Sequence, residues 1–167
     1  MRRVLVVVSL LLLAACGDDA ILPGGGPVDV SFRAISEKQN AGMCVRGPEF
    51  ALAMNAGEWQ AIWARQNACQ AGSANALPPL LPTEAGVAAW WRVEGCLGYS
   101  VKTTQIKSDG DVITVTATES SPAAEFCASA LGGLESFLAL DLGTVRGAER
   151  IRFLLDDVEV GAVAVPS

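Results

Sequence analysis

From Val87 onward apolar side chains fall on every second position, and this period of two confines the second half of the chain to half-buried strands. Over 87–93, Val87, Ala89, Trp91 and Val93 share one face, while Ala88, Trp90 and Arg92 take the other. A further strand is expected over 97–106. Ser108-Asp109-Gly110-Asp111 then supplies an Asp-Gly hairpin signal, and 112–119 returns with Ile113, Val115 and Ala117 on one face. A Pro- and Ala-containing loop is expected over 121–133 and a strand over 136–142. The end reads as a hairpin of 150–155 and 158–165, turning at Asp156-Asp157.

The first half is less regular. Alternation of Val28, Val30, Phe32 and Ala34 with Asp29, Ser31 and Arg33 predicts one strand over 28–35, followed by a polar loop over 36–47 and a short strand over 50–54. The clearest helix spans 55–67. Asn55 is its expected N-cap, Glu58 sits three residues on as in a capping box, and Trp59, Ile62 and Trp63 repeat at three and four. Trp59 and Trp63 therefore share a face and are expected to pack on the sheet rather than form a carbohydrate platform. Pro78, Pro79 and Pro82 make 74–83 an extended connection. One helix among about seven strands gives the fold class α+β, a mainly antiparallel, sandwich-like domain with one main helix at about 55–67.

The amino-terminal segment has a different logic. Arg2 and Arg3 precede an apolar run over 4–13 and a pair of alanines, the three-part form of an export signal. The run falls short of the roughly 20 apolar residues that a permanent span requires. Leu13-Ala14-Ala15-Cys16 resembles the lipobox of bacterial lipoproteins, in which the cysteine carries diacylglycerol and a further acyl chain such as palmitate. The resemblance implies cleavage after residue 15, lipidation at Cys16 and an extracytoplasmic, membrane-anchored protein, with inner and outer membrane equally open. Stable anchoring takes two acyl chains or more, since each buried CH₂ contributes about 0.8 kcal/mol. The domain organisation is then a signal peptide over 1–15, a lipidated cysteine and Gly/Pro tether over 16–27, and one globular domain over 28–167. Removing 15 of 167 residues leaves 152, enough to bury a core.

Cleavage also removes Arg2 and Arg3, leaving 10 basic side chains against 18 acidic ones and a net charge near −8. That balance argues against nucleic acid as a partner. The sequence shows no basic patch for anionic headgroups, so attachment rests on Cys16. With Cys16 set aside, Cys44, Cys69, Cys96 and Cys127 form an even set, the expected signature of two disulfides in an exported domain, with three pairings open. The rival is a Cys₄ zinc site, for which no CxxC pair and no histidine is present. No metal or cofactor is expected.

Residues for chemistry are sparse. Without histidine the usual base for a Ser or Cys nucleophile is missing, and Ser36 with Lys38 sits in a polar segment without a nucleophile motif; Lys102 and Lys107 are the only other lysines. Asp18-Asp19 and Asp156-Asp157 read as tether and turn carboxylates. Gly24-Gly25-Gly26 is linker, lacking the lysine and helix of a phosphate loop. For binding, Trp90 beside Arg92 on the face opposite Trp91 has the composition of an interface anchor, unless both faces of that strand are covered. Tyr99 is either a loop-end contact or a core residue sharing a face with Val101.

Asn55-Ala-Gly-Glu-Trp59-Gln-Ala-Ile-Trp63, a proline-rich segment, Gly95-Cys-Leu-Gly98-Tyr99-Ser100-Val101, a hairpin, a proline-containing loop and an apolar strand resemble, in that order, the C-terminal domain of PrcB. The resemblance covers about residues 50–142. It implies a non-catalytic, extracytoplasmic module that binds or stabilises a protein, in that family a surface protease complex, so an envelope protease or another protein is the expected partner. It also implies that the turn carrying Cys96 and the loop carrying Cys127 are neighbours at one end of the sheet, hence a Cys96–Cys127 pair with Cys44–Cys69 as the second. The alternatives from other classes are a secreted hydrolase with an unrecognised active site and a carrier of a small apolar ligand.

Overall fold

A computed structural model describes residues 26–41, 47–68, 76–96, 99–121 and 129–167, with side chains for all of these but 38–41, 92–96 and 129–132. Two sheets pack face to face. One holds β1 (Val28–Asp29), β5 (Ser100–Asp109), β6 (Val112–Ser120), β8 (Arg150–Leu155) and β9 (Val158–Ala164), in the order β1-β5-β6-β8-β9. The other holds β2 (Phe32–Ala41), β7 (Ser129–Asp141), β4 (Glu84–Cys96) and β3 (Glu49–Ala53), in the order β2-β7-β4-β3. Every pairing is antiparallel except β6 with β8, where β7 in the opposite sheet and the short helix α2 (Leu142–Arg146) bring the chain back in the same direction. The sandwich-like α+β class expected from the alternation is the one observed.

The alternation in β4 shows why. Val87, Ala89 and Trp91 enter the core between the sheets with Ile113, Val115 and Phe153, whereas Ala88 and Trp90 face a second core beneath α1 (Ala56–Asn67). In that second core Trp59 and Trp63 pack edge-on against Phe137 at 5.8 and 5.2 Å between centroids. Small residues make room for the rings: a Cβ on Gly86 would stand 2.4 Å from Trp59 Cε3. The helix begins as its cap residues dictate. Asn55 accepts from the Glu58 amide at 3.0 Å, and the Glu58 carboxylate reaches back to the Met54 amide at 2.6 Å. The closing turn places both Asp156 and Asp157 at positive φ, 49° and 65°, as a two-residue hairpin with right-handed strand twist requires.

Four expectations change. The strand over 28–35 is two strands, because the chain crosses between sheets at Val30 and Ser31: Val30 N–H still bonds Ile106 in one sheet and Phe32 already pairs with Leu140 in the other. A bulge between Ala34 and Ser36 then breaks the period, leaving Ala34 exposed. The loop over 36–47 is strand as far as Ala41, paired through Gly132, and its remainder at 42–46 lies outside the described residues. Likewise the loop over 121–133 gives way to β7 from Ser129, because a partner strand on each side satisfies its backbone. Finally, α2 replaces the end of the strand over 136–142, where Asp141 caps Thr144 N–H at 2.7 Å.

Candidate functional site

The anchor proposed at Trp90 is corrected by the fold. Trp90 is 0% exposed, lying under α1 with its ring edge-on to Phe137 and its indole N–H donating to Gln66 Oε1 at 2.6 Å. Both faces of β4 are covered at this point, so Trp90 offers nothing to a partner. Arg92 stands opposite Leu134 in the β4–β7 ladder, and its side chain lies outside the described residues. Tyr99 is half-buried against the core between the sheets. Cys16, Cys44, Cys69 and Cys127 lie outside the described residues; the backbone of Cys96 pairs with Ser129.

What the structure exposes instead is the proline-rich connection. Three prolines keep residues 76–83 out of helix and sheet, so their backbone groups need side-chain partners, and each partner is supplied by a different element. Trp59 Nε1 donates to the Pro78 carbonyl at 2.8 Å. Arg33 Nη2 donates to the Pro79 carbonyl at 3.3 Å and to Glu84 Oε2 at 2.6 Å, while its Nε reaches Glu84 Oε1 at 3.1 Å. Glu84 also accepts from the Leu81 amide at 2.8 Å, and the Leu81 carbonyl accepts from Glu84 N–H at 2.9 Å. Arg33 and the Leu81 amide hold the Glu84 carboxyl below its ordinary pKa against the opposing cost of partial burial. The turn is thus held at its carbonyls and amide, and while Leu80 packs against the core beneath α1, Leu81 and Leu77 are left outward, 57% and 39% exposed.

Beside Leu81 opens a cleft of about 360 Å³ between the start of α1 and α2. Met54, Leu80, Leu81, Pro82 and Leu142 give it apolar walls, and Arg146 stands at its border. The walls are pinned like the turn. Glu58 holds the Met54 amide, and the Leu142 amide donates to the Thr83 carbonyl at 2.8 Å. Leu81 and Glu84 also line a shallower cleft of about 260 Å³ that continues towards Phe32 and Asp141. Thr144 holds the Asp141 carboxyl below its ordinary pKa, chiefly through its backbone N–H and then its hydroxyl. A third cleft of about 420 Å³ sets Asp109 and Asp111 against Arg150 and Arg152, a mixture that favours neither sign of ligand charge.

An apolar cleft with one cation at its edge can bind and orient a partner. The sequence signal for it is the interleaving of Leu77, Leu80 and Leu81 with Pro78, Pro79 and Pro82, large apolar residues where no periodicity asks for burial. Among the described residues no group of His, Cys, Asp and Glu is placed to hold a metal ion, and no helix is long and apolar enough to cross a membrane. Neither the family models, nor the curated proteins, nor the solved structures yield a match to this chain.

Proposed function

We propose that this chain is a bacterial envelope lipoprotein, anchored through acylated Cys16, whose globular domain binds and stabilises another envelope protein without transforming it. The observation that carries the binding role is Leu81, more than half exposed on a turn whose backbone is held by Trp59, Arg33 and Glu84. An exposed leucine on a preformed turn loses little conformational freedom on contact, so more of its burial is realised as affinity. The lipid anchor rests on Leu13-Ala14-Ala15-Cys16, and the choice of a protein partner on the PrcB-like order of motifs over about 50–142.

Two measurements test this reading. Radiolabelled palmitate incorporates into the wild-type chain, and Cys16→Ala abolishes both the label and the membrane fraction; an unlabelled chain or an unchanged fractionation removes the anchor. Crosslinking of the anchored protein in native membranes followed by affinity recovery returns one stoichiometric envelope protein. Recovery of no partner, or turnover of any substrate by the mature chain, removes the binding role.

A further inference from the structure

We propose that the cleft between α1 and α2 receives an apolar side chain of a partner protein, and that a carboxylate next to that side chain pairs with Arg146. This assignment rests on the protein-binding reading above and specifies its site and ligand chemistry.

The apolar half of the argument is the cleft itself. Met54, Leu80, Leu81, Pro82 and Leu142 enclose about 360 Å³, space for a side chain of leucine or phenylalanine size but not for a folded element. Seating such a residue there removes its apolar surface from water, which favours association. The walls have little freedom to collapse into the space. The flanking backbone groups at Met54, Leu81 and Leu142 are each hydrogen-bonded, and Leu80 is seated against the Gly86 position, where an added Cβ would lie 3.1 Å from its Cδ1.

The charged half is Arg146. The chain is acidic overall; among its described arginines Arg33 pairs with Glu84 at 2.6 Å and Arg65 with Glu49 at 2.5 Å, while Arg150 and Arg152 share a cleft with Asp109 and Asp111 and Arg152 also donates to Thr114. Arg146, exposed in the last turn of α2, has no carboxylate within ion-pair distance among the described residues. Among the described residues the one carboxylate that also lines the cleft, Glu84, is already engaged by Arg33 and by the Leu81 amide. An incoming carboxylate therefore meets one available cation and a neighbouring anion whose charge is already neutralised. Guanidinium binds carboxylates through two parallel hydrogen bonds, which would orient the partner's backbone along the cleft.

The test uses the full anchored chain in its native membrane. A benzophenone amino acid is introduced at position 81, and at position 158 as a control, since Val158 is 64% exposed and is not among the residues that line the cleft. Irradiation is expected to give a protein adduct at 81 above the level at 158. Its partner peptide should carry an apolar residue within one position of Asp, Glu or a chain carboxyl terminus. Arg146→Glu should lower the yield by up to about fivefold, the size expected of an exposed ion pair, and Arg146→Lys should lower it less, because lysine keeps the charge but not the two parallel hydrogen bonds. Equal adducts at 81 and 158, a yield indifferent to Arg146→Glu, or a partner peptide without a carboxylate each overturn the assignment. Capture at 158 with none at 81 removes the cleft but leaves a protein-binding domain, whereas capture at neither position removes both.

Discussion

Gln66 on α1 and Trp90 on β4 are joined by a 2.6 Å hydrogen bond from the indole N–H to the amide oxygen, in a site where both residues are buried. The amide nitrogen of the same Gln66 donates to the buried carboxylate of Glu135, so one side chain satisfies polar groups from two adjacent strands. Gln66→Leu fills the volume but takes the acceptor from Trp90 and a donor from Glu135. Each buried group left short costs about 1–3 kcal/mol, and the expected loss is about 2–4 kcal/mol. Urea denaturation of the mature chain should show a lower midpoint with an unchanged slope. A loss below 0.5 kcal/mol, an order-of-magnitude threshold set by ordinary surface substitutions, is the contrary outcome.

Gly86 is the second point of close approach. Its missing side chain admits the Trp59 ring, and a Cβ there would meet Cε3 at 2.4 Å and Cζ3 at 2.8 Å. Gly86→Ala should cost about 1–3 kcal/mol by overpacking and alter the near-ultraviolet circular dichroism, because Trp59 must leave its place beside Phe137 and Trp63. Gly26→Ala, with open space around the added methyl, should change neither quantity.

Acid should loosen the exposed turn. The folded-state pKa of Glu84 is depressed, so its stabilising contribution is present in full above the ordinary value of 4.5 and is lost as pH falls from there through the folded-state value. Arg33 is 45% exposed at its side chain, which limits the pair to about 1 kcal/mol or less. Glu84→Gln should therefore be less stable than wild type at neutral pH, with the difference shrinking below pH 4.5. Hydrogen exchange at the Leu81 amide should quicken in the variant. A difference that grows on acidification contradicts the assignment.

The four cysteines of the globular domain give a covalent prediction. Cys96 pairs in register with Ser129, two residues after Cys127; Ala41, three residues before Cys44, shares a row with Gly132 and Glu94; and α1 ends at Asn67, two residues before Cys69. The described elements that flank all four thus end on the same side of the sheet. That arrangement leaves three pairings open, of which the PrcB-like order of motifs implies Cys96 with Cys127 and Cys44 with Cys69, the two that peptide mapping of the unreduced mature protein is expected to recover. Loss of either bridge should cost about 2–4 kcal/mol. Recovery of a different pairing, or of free thiols, refutes it.

Local chemistry was legible wherever a signal spans only a few residues. The cap at Asn55 and Glu58, the Asp156-Asp157 hairpin and the opposite facing of Trp90 and Trp91 all follow from short-range stereochemistry and alternation and are found as read. The Asp-Gly signal places its hairpin one residue early, since Asp109 still pairs with Val112 and the turn is Gly110-Asp111. The reading faltered at Val30 and Ser31, because alternation continues while the chain changes sheets, and at 36–41 and 129–133, where polar and glycine residues become strand only through their neighbours in the ladder.

The candidate site illustrates the same division. Which residues are apolar around Pro78, Pro79 and Pro82 is written in the chain, but whether Trp90 or Leu81 meets solvent depends on where α1 lands. Alternation determined that Trp90 would oppose Trp91. Tertiary packing decided that α1 covers Trp90 and leaves Leu81 outside, because burying Trp59, Trp63 and Phe137 together outweighs exposing one leucine on a turn whose backbone is already hydrogen-bonded.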